Sequence, residues 1–299
     1  MESTRKLTIL FVPRSSIGHI NSCIGVAEPL HFCGHQIVFA VDQSFKDYFK
    51  KQGFREEIIG KELSSVEQRD PGESIRKLYL QNGLFHDHSE LEKVKMWIEC
   101  ATLTTRYQDE QLAKIILNIK PDVIVVDWFI APSIFNSGIP WVLSISQQIL
   151  TLIDDPRTPP RWVGLSADDP SQWAKYRELL KDDFDFMTKK FYCLFNGVNP
   201  FTGNSFIESP YLNIYNYPLE LDYTDQRPLL SKWHRIDSFI RVKEDDFVLP
   251  EKLVNQKGKL IYFGMGSLVS ANVQMMKRLI NLIADLPFRF IVSKGKIKI

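Results

Sequence analysis

The apolar positions of this chain follow two periods, one of strands and one of helices. Leu7 to Val12 is a short, nearly continuous apolar run of the kind found in a parallel strand covered on both faces, and Pro13 ends it. Ser15, Ser16, Ile17 and Gly18 read as a turn, with Gly18 free to adopt a backbone conformation that other residues resist. Ile20 to Phe32 has helical spacing, Gly34 fits its stop, and Gln36 to Val41 is a second strand. Such a unit crosses over right-handed and receives ligands beyond the carboxyl ends of its strands, where His19 stands. Ser44 to Gln52 reads as a short helix ended by Gly53, and Phe54 to Ile59 as a third strand. Residues 60–90 are polar and punctuated by Pro71-Gly72, which predicts a long loop. Leu91 to Ile119 predicts a long amphipathic helix or a kinked pair. The run PDVIVVDWF, residues 121–129, has the Val/Ile character of a central parallel strand ending on Asp127, and Ile139 to Ile145 gives the next strand.

Gln147 to Pro170 is rich in loops and prolines, and its Trp and Leu content suits a pocket wall. Gln172 to Asn196 predicts a second long helix whose aromatic stripe belongs to a core more readily than to a ligand site. Tyr211 to Tyr217 is a strand, and residues 233–241 are a strand or extended segment leading out of the domain. Residues 242–258 are charged and read as a linker. The pattern then restarts: Leu260 to Phe263 as strand, Gly264 to Ser267 as turn, Asn272 to Ala284 as helix and Phe288 to Val292 as strand. The helix gathers Val273, Met276, Leu279, Ile280 and Ile283 on one face. The expected fold is α/β, with a doubly wound, Rossmann-like parallel sheet over residues 1–241 and the start of a second such domain over 259–299.

Composition narrows the partners. The chain has 299 residues, and 37 Lys plus Arg against 36 Asp plus Glu argue against nucleic acid or an anionic membrane as the main partner. No apolar run reaches the length of a membrane span, and the apolar stretch near the amino terminus is better used as the first strand than as a signal peptide. A cytoplasmic protein is expected. The four cysteines, Cys23, Cys33, Cys100 and Cys193, lack metal-ligand spacing, and Cys23 and Cys33 would lie about 15 Å apart on one helix, too far for a disulfide. They read as buried thiols. His86-Asp87-His88 has no further ligands at suitable spacing and reads as solvated loop, so no metal is expected.

The candidate chemistry rests on two residues. A histidine at a helix start is either a solvated or capping side chain or a group working at the sheet edge. Asp127 ends a buried strand, and an unpaired ionised carboxylate there costs several kcal/mol. It either caps the next helix or holds His19.

Taken together, GHIN at 18–21, VVDWF at 125–129, WHRID at 233–237, YFGMGS at 262–267 and FIVSKG at 290–295 resemble UDP-dependent glycosyltransferases of the two-domain GT-B fold, arthropod-type members especially. The resemblance implies inverting hexosyl transfer from a UDP-sugar to a hydroxyl of a small lipophilic acceptor, as in detoxification. His19 would be the catalytic base and Asp127 the carboxylate that orients it. Histidine suits the task because the free imidazole titrates near pH ~6.5. Gly18, Trp128, Phe129 and Gln147 are expected to line the acceptor site, with Gly266 and Ser267 on the donor side. No cofactor and no metal are expected, the diphosphate being met by a helix amino terminus and backbone N–H groups.

The sequence departs from that family in its second domain. Residues 259–299 are far short of the ~100 or more that a donor domain needs for its own core. A His-Cys-Gly-type turn onto the diphosphate is absent, His234 being the last histidine. The expectation is therefore a truncated chain, inactive in transfer, with a UDP-sugar as partner only if the donor domain is completed. The alternative is a catalytically dead small-molecule-binding paralogue or fragment. GMGSLV is a poor dinucleotide fingerprint, because the third glycine of G-x-G-x-x-G is missing.

Overall fold

The computed structural model describes residues 5–59, 90–128, 130–146, 150, 154–161, 163–192, 207–242, 247–254, 256–266 and 273–293. The chain divides into two compact units, with described residues up to 242 in the first and those from 247 onward in the second.

The first unit is built on a seven-stranded sheet in the order β3-β2-β1-β4-β5-β6-β7. The strands are β1 Thr8–Val12, β2 Gln36–Asp42, β3 Arg55–Ile59, β4 Val123–Asp127, β5 Trp141–Ile145, β6 Leu212–Asn216 and β7 Trp233–Ile236, and every pairing is parallel. Its helices are α1 Ile17–Phe32, α2 Glu90–Ile119, α3 Pro132–Phe135 and α4 Trp173–Tyr192. The long amphipathic pattern after residue 90 is thus one 30-residue helix.

Period-two alternation sends each central strand's side chains to two different cores. Ile9 and Phe11 of β1, Phe39 and Val41 of β2 and Val125 of β4 pack with Ile20, Cys23, Ile24 and Ala27 of α1. Leu10, Val38, Ala40, Ile124 and Val126 point the other way and pack with Leu112, Ile115 and Ile116 of α2. Both faces being covered explains why these strands read as continuous apolar runs. Phe39 is stacked between Phe11 at 5.0 Å and Phe49 at 4.2 Å between ring centroids.

Three expectations are corrected and one, that of a strand or extended segment over 233–241, is narrowed. Gly18 is not a turn residue: Ser16, extended at φ −145°, is the N-cap, α1 begins at Ile17, and Gly18 lies in its first turn. The predicted helix over 44–52 is a single 3₁₀ turn, Gln43–Phe45, capped by the Asp42 carboxylate accepting from the Ser44 N–H. Strand β7 stops at Ile236, and residues 237–242 continue as an irregular strap. Cys23 is buried but Cys33 is exposed, because it caps the carboxyl end of α1, where its carbonyl accepts the Lys6 ammonium at 2.5 Å. Cys100 and Cys193 have side chains outside the described residues, as has the His86-Asp87-His88 segment.

The strap is fastened to α1. A Cβ on Gly25 would stand 2.4 Å from the backbone carbon and oxygen of Phe239, so only glycine lets the two backbones approach. One turn on, the buried Glu28 carboxylate accepts the Val242 N–H.

The second unit holds a two-stranded parallel sheet, β8 Leu260–Gly264 with β9 Arg289–Ser293, together with α5 Glu251–Val254 and α6 Val273–Ala284. Part of the expected linker is therefore one helical turn. On α6 only Met276 is fully buried, and Val273, Leu279, Ile280 and Ile283 are half-buried.

Candidate active site

Register brings the candidate residues together. Val12 of β1 pairs with Val126 of β4, so the next residue of β4, Asp127, emerges beside the turn that leads from β1 into α1. On the other side Asp127 pairs with Ser144 of β5, which puts Ser146 just beyond the same edge. Ser16 begins α1 early enough that His19 lies in the first turn, with its side chain returned toward β4.

His19 Nδ1 lies 2.8 Å from Asp127 Oδ2. The histidine side chain retains 14% exposure and the aspartate 2%, so one end of the pair faces out and the other is sealed. An ionised carboxylate can only accept, so Nδ1 carries the proton and Nε2 presents its lone pair. The same Asp127 oxygen accepts the Arg14 backbone N–H at 3.3 Å. The reading of Asp127 as a helix cap fails here: α3 has Ala131 as its N-cap, and the Ser133 N–H is met by Asp109 at 2.8 Å.

Three neighbours complete the surroundings. Trp128 follows Asp127 in the left-handed region at φ 73°, an unfavourable conformation for a bulky residue, and is buried. Its ring stands 5.9 Å from the His19 ring, and the Arg14 guanidinium lies 5.2 Å from its centroid. Ser146 Oγ is 3.4 Å from His19 Nδ1. Cys23, one turn after His19, has its thiol pushed well up by burial and secondarily by the Asp127 charge, so it stays protonated.

Of the expected acceptor residues, Gly18 and Trp128 are beside the dyad, while Phe129 and Gln147 lie outside the described residues. Among the described residues nothing lies within 4 Å of where a Cβ on Gly18 would be. Of the two residues expected on the donor side, Gly266 takes φ 71° and Ser267 lies outside the described residues. Arg14 and Ser146 are the residues that sequence reasoning missed. Arg14 stood two residues past the predicted strand end, a position worth flagging at this sheet edge.

The loop after β5 is pinned to α4. Arg177 bridges Asp154 at 2.9 Å and donates to the carbonyls of Asp155 and Thr158 at 2.5 Å each. Trp173 donates its indole N–H to the Ser166 carbonyl at 3.2 Å. Among the described residues no group of three or more His, Cys, Asp or Glu is placed to hold a metal, and no helix is long and apolar enough to cross a membrane.

The sequence matches no family model and no curated protein. The fold does find likenesses among solved structures. The Streptomyces sp. SF2575 glycosyltransferase SsfS6, complexed with thymidine diphosphate, aligns with TM-score 0.57 and 13% identity over 96% of this chain and 68% of its own. The glycotransferase of kitacinnamycin aligns with TM-score 0.60 and 14% identity over 98% and 66%. Arabidopsis thaliana UGT89C1, complexed with quercetin, aligns with TM-score 0.51 and 14% identity over 96% and 65%. The chain thus spans about two thirds of the length of these proteins. At such identity the likeness is one of fold, and the fold is that of the GT-B glycosyltransferases.

Proposed function

We propose that this protein belongs to glycosyl transfer, and more narrowly that it is built as an inverting UDP-glycosyltransferase acting on a hydroxyl of a small lipophilic acceptor. His19 Nε2 takes the proton of the acceptor hydroxyl as that oxygen bonds to the anomeric carbon. The bond from that carbon to the diphosphate breaks on the opposite face, and the nucleotide leaves with the electron pair. Asp127 holds the Nδ1 proton and stabilises the imidazolium that forms. Trp128 and Gly18 border the acceptor, and Phe129 and Gln147 are assigned there as well. Gly266 and Ser267 belong to the donor side, and the chemistry asks for no metal and no cofactor.

The observation that carries this reading is the 2.8 Å His19–Asp127 pair, half open to the outside, at the carboxyl edge of the sheet. A second reading rests on the second unit, whose described residues form a two-stranded sheet and two helices. On it, a polypeptide of these 299 residues made on its own binds acceptor-like aromatic molecules and transfers no sugar, because stabilisation of the leaving group is typically the largest catalytic contribution. Calorimetric titration of the 299-residue polypeptide with UDP and UDP-glucose, beside a radiolabelled transfer assay on a panel of phenols, separates the two. Weak acceptor binding without transfer supports the binding role, and clear transfer or tight UDP binding overturns it. In a chain carrying a complete donor domain, transfer that survives loss of His19 would overturn the enzymatic assignment.

A further inference from the structure

A second polar cluster stands at the same edge of the sheet and takes no part in the dyad. Strands β5 and β6 are neighbours, and the segments that follow them, 154–161 and 217–227, hold three guanidinium groups and three carboxylates, with Arg177 of α4 adding a fourth guanidinium. Asp155 is held by Arg157 through two bonds of 2.9 and 2.8 Å, and Asp154 by Arg177 at 2.9 Å and Arg161 at 3.9 Å. Asp222 gives one oxygen to the Tyr215 hydroxyl at 2.5 Å and the other to the Tyr223 N–H at 2.7 Å.

Arg227 is left with little. Its side chain is 1% exposed, and its single contact with an acceptor is one terminal nitrogen 3.5 Å from the Asp222 oxygen that Tyr223 already occupies. Its Nε and its other terminal nitrogen are buried with no hydrogen-bond partner among the described residues. A guanidinium does not give up its proton in a protein, so beside the one distant contact with Asp222 burial leaves two of its donor nitrogens unanswered. Tyr215, whose phenol is pushed up by burial and by its bond to Asp222, stays protonated and keeps Asp222 engaged. A group that accepts from Nε and a terminal nitrogen of one guanidinium at once is a carboxylate, bound in the two-pronged manner that arginine favours.

We propose that Arg227 forms a buried carboxylate-binding subsite beyond the carboxyl ends of β5 and β6, and that the molecules this protein takes at this edge are aromatic carboxylic acids. That they are acceptors rests on the function proposed above; that they bind does not. Arg227 sits near enough to segment 154–161 for its charge to help hold the Asp155 carboxyl down at about 2, behind the larger effect of Arg157. The subsite lies in the segment that follows β6, whose neighbour in the sheet is β5. Such segments are where an α/β sheet keeps its ligands.

The test uses the 299-residue polypeptide and matched pairs of probes: 4-hydroxybenzoate against 4-hydroxybenzamide, and 4-hydroxycinnamate against its amide. Calorimetry is expected to show each acid binding at least tenfold more tightly than its amide. Benzoate, which has no hydroxyl to glycosylate, should keep the preference. Arg227→Gln should abolish it and Arg227→Lys should restore part of it, with circular dichroism confirming that each variant folds. If neither variant folds, the comparison of acid with amide in the unaltered protein decides alone. Equal binding of acids and amides would overturn the proposal and leave water as the partner of Arg227. Acid-selective binding without sugar transfer would leave this subsite standing while the transferase reading falls, so the two fail separately.

Discussion

The chain contains two strand–turn–helix segments of similar sequence pattern, β1 with α1 and β8 with α6, and they meet opposite fates. In the first, Leu10, Phe11, Ile20 and Ile24 are wholly buried, because α1 covers one face of a wide sheet and α2 the other. In the second, strand β8 is nowhere fully buried and Tyr262 is 70% exposed. Local pattern suffices to form the elements, but burial comes from neighbours distant in sequence. The same holds for chemistry: the turn after β1 acquires a buried carboxylate only because β4 runs beside it.

The largest effect should appear where the first segment carries chemistry. In a chain with a complete donor domain, His19→Ala should lower turnover by roughly 10²- to 10⁴-fold with acceptor binding little changed. Unchanged turnover would move the base elsewhere. Next in size is the contrast in packing. Ile24→Ala should cost about 2–5 kcal/mol in urea unfolding, whereas Leu282→Ala on α6, 62% exposed, should stay within about 0.5 kcal/mol. Similar costs would erase the distinction between the segments.

A sharper contrast lies within α1 itself. Gly25→Ala meets the Phe239 backbone and should destabilise by about 1–3 kcal/mol, while Gly18→Ala meets nothing among the described residues and should stabilise by about 0.5–1 kcal/mol through helix propensity. Thermal melts of the two variants moving in the same direction would contradict the packing described for the strap.

The smallest effect is electrostatic. Asp155 is lowered from the ordinary 3.8 to about 2, chiefly by its bond to Arg157. A carboxyl depressed on folding contributes stability that is present above its unfolded value and lost as pH falls through the folded one. Acid unfolding should therefore lose this contribution between about pH 4 and pH 2, and Asp155→Asn should flatten that part of the curve. Because Arg157 is 55% exposed, the contribution is that of a screened surface pair and is small.

Much of the first unit was legible in the sequence because its strands are short apolar runs between clear punctuation. The approach of His19 to Asp127 was one of two readings that the sequence left open for a carboxylate at a strand end, and the resemblance favoured it. Arg14 and Ser146 were not, since their places follow from register among β1, β4 and β5, across separations of 113 and 127 residues. Gly18 was misread because a glycine in a helix's first turn looks the same in sequence as one in a loop. The exposure of Cys33 could have been found: ten residues after Cys23 at about 100° each turns it well away from the buried face. The Arg227 cluster had no local signature, its members being drawn from segments that only the parallel pairing of β5 with β6 brings together.

The fastening of the strap to α1 has a bearing on the order in which the molecule is made. The bond from Val242 to Glu28 closes a span of 214 residues, which at ribosomal speed corresponds to roughly 10–40 s of synthesis. Throughout that interval the helix bearing His19 exists without the backbone that lies over Gly25 and without the Val242 N–H that meets the Glu28 carboxylate. The helix made first in this chain is thus held incomplete on its outer side until the last residues of the first unit emerge, and a nascent chain halted before Phe239 should exchange its α1 amides faster than the finished protein does.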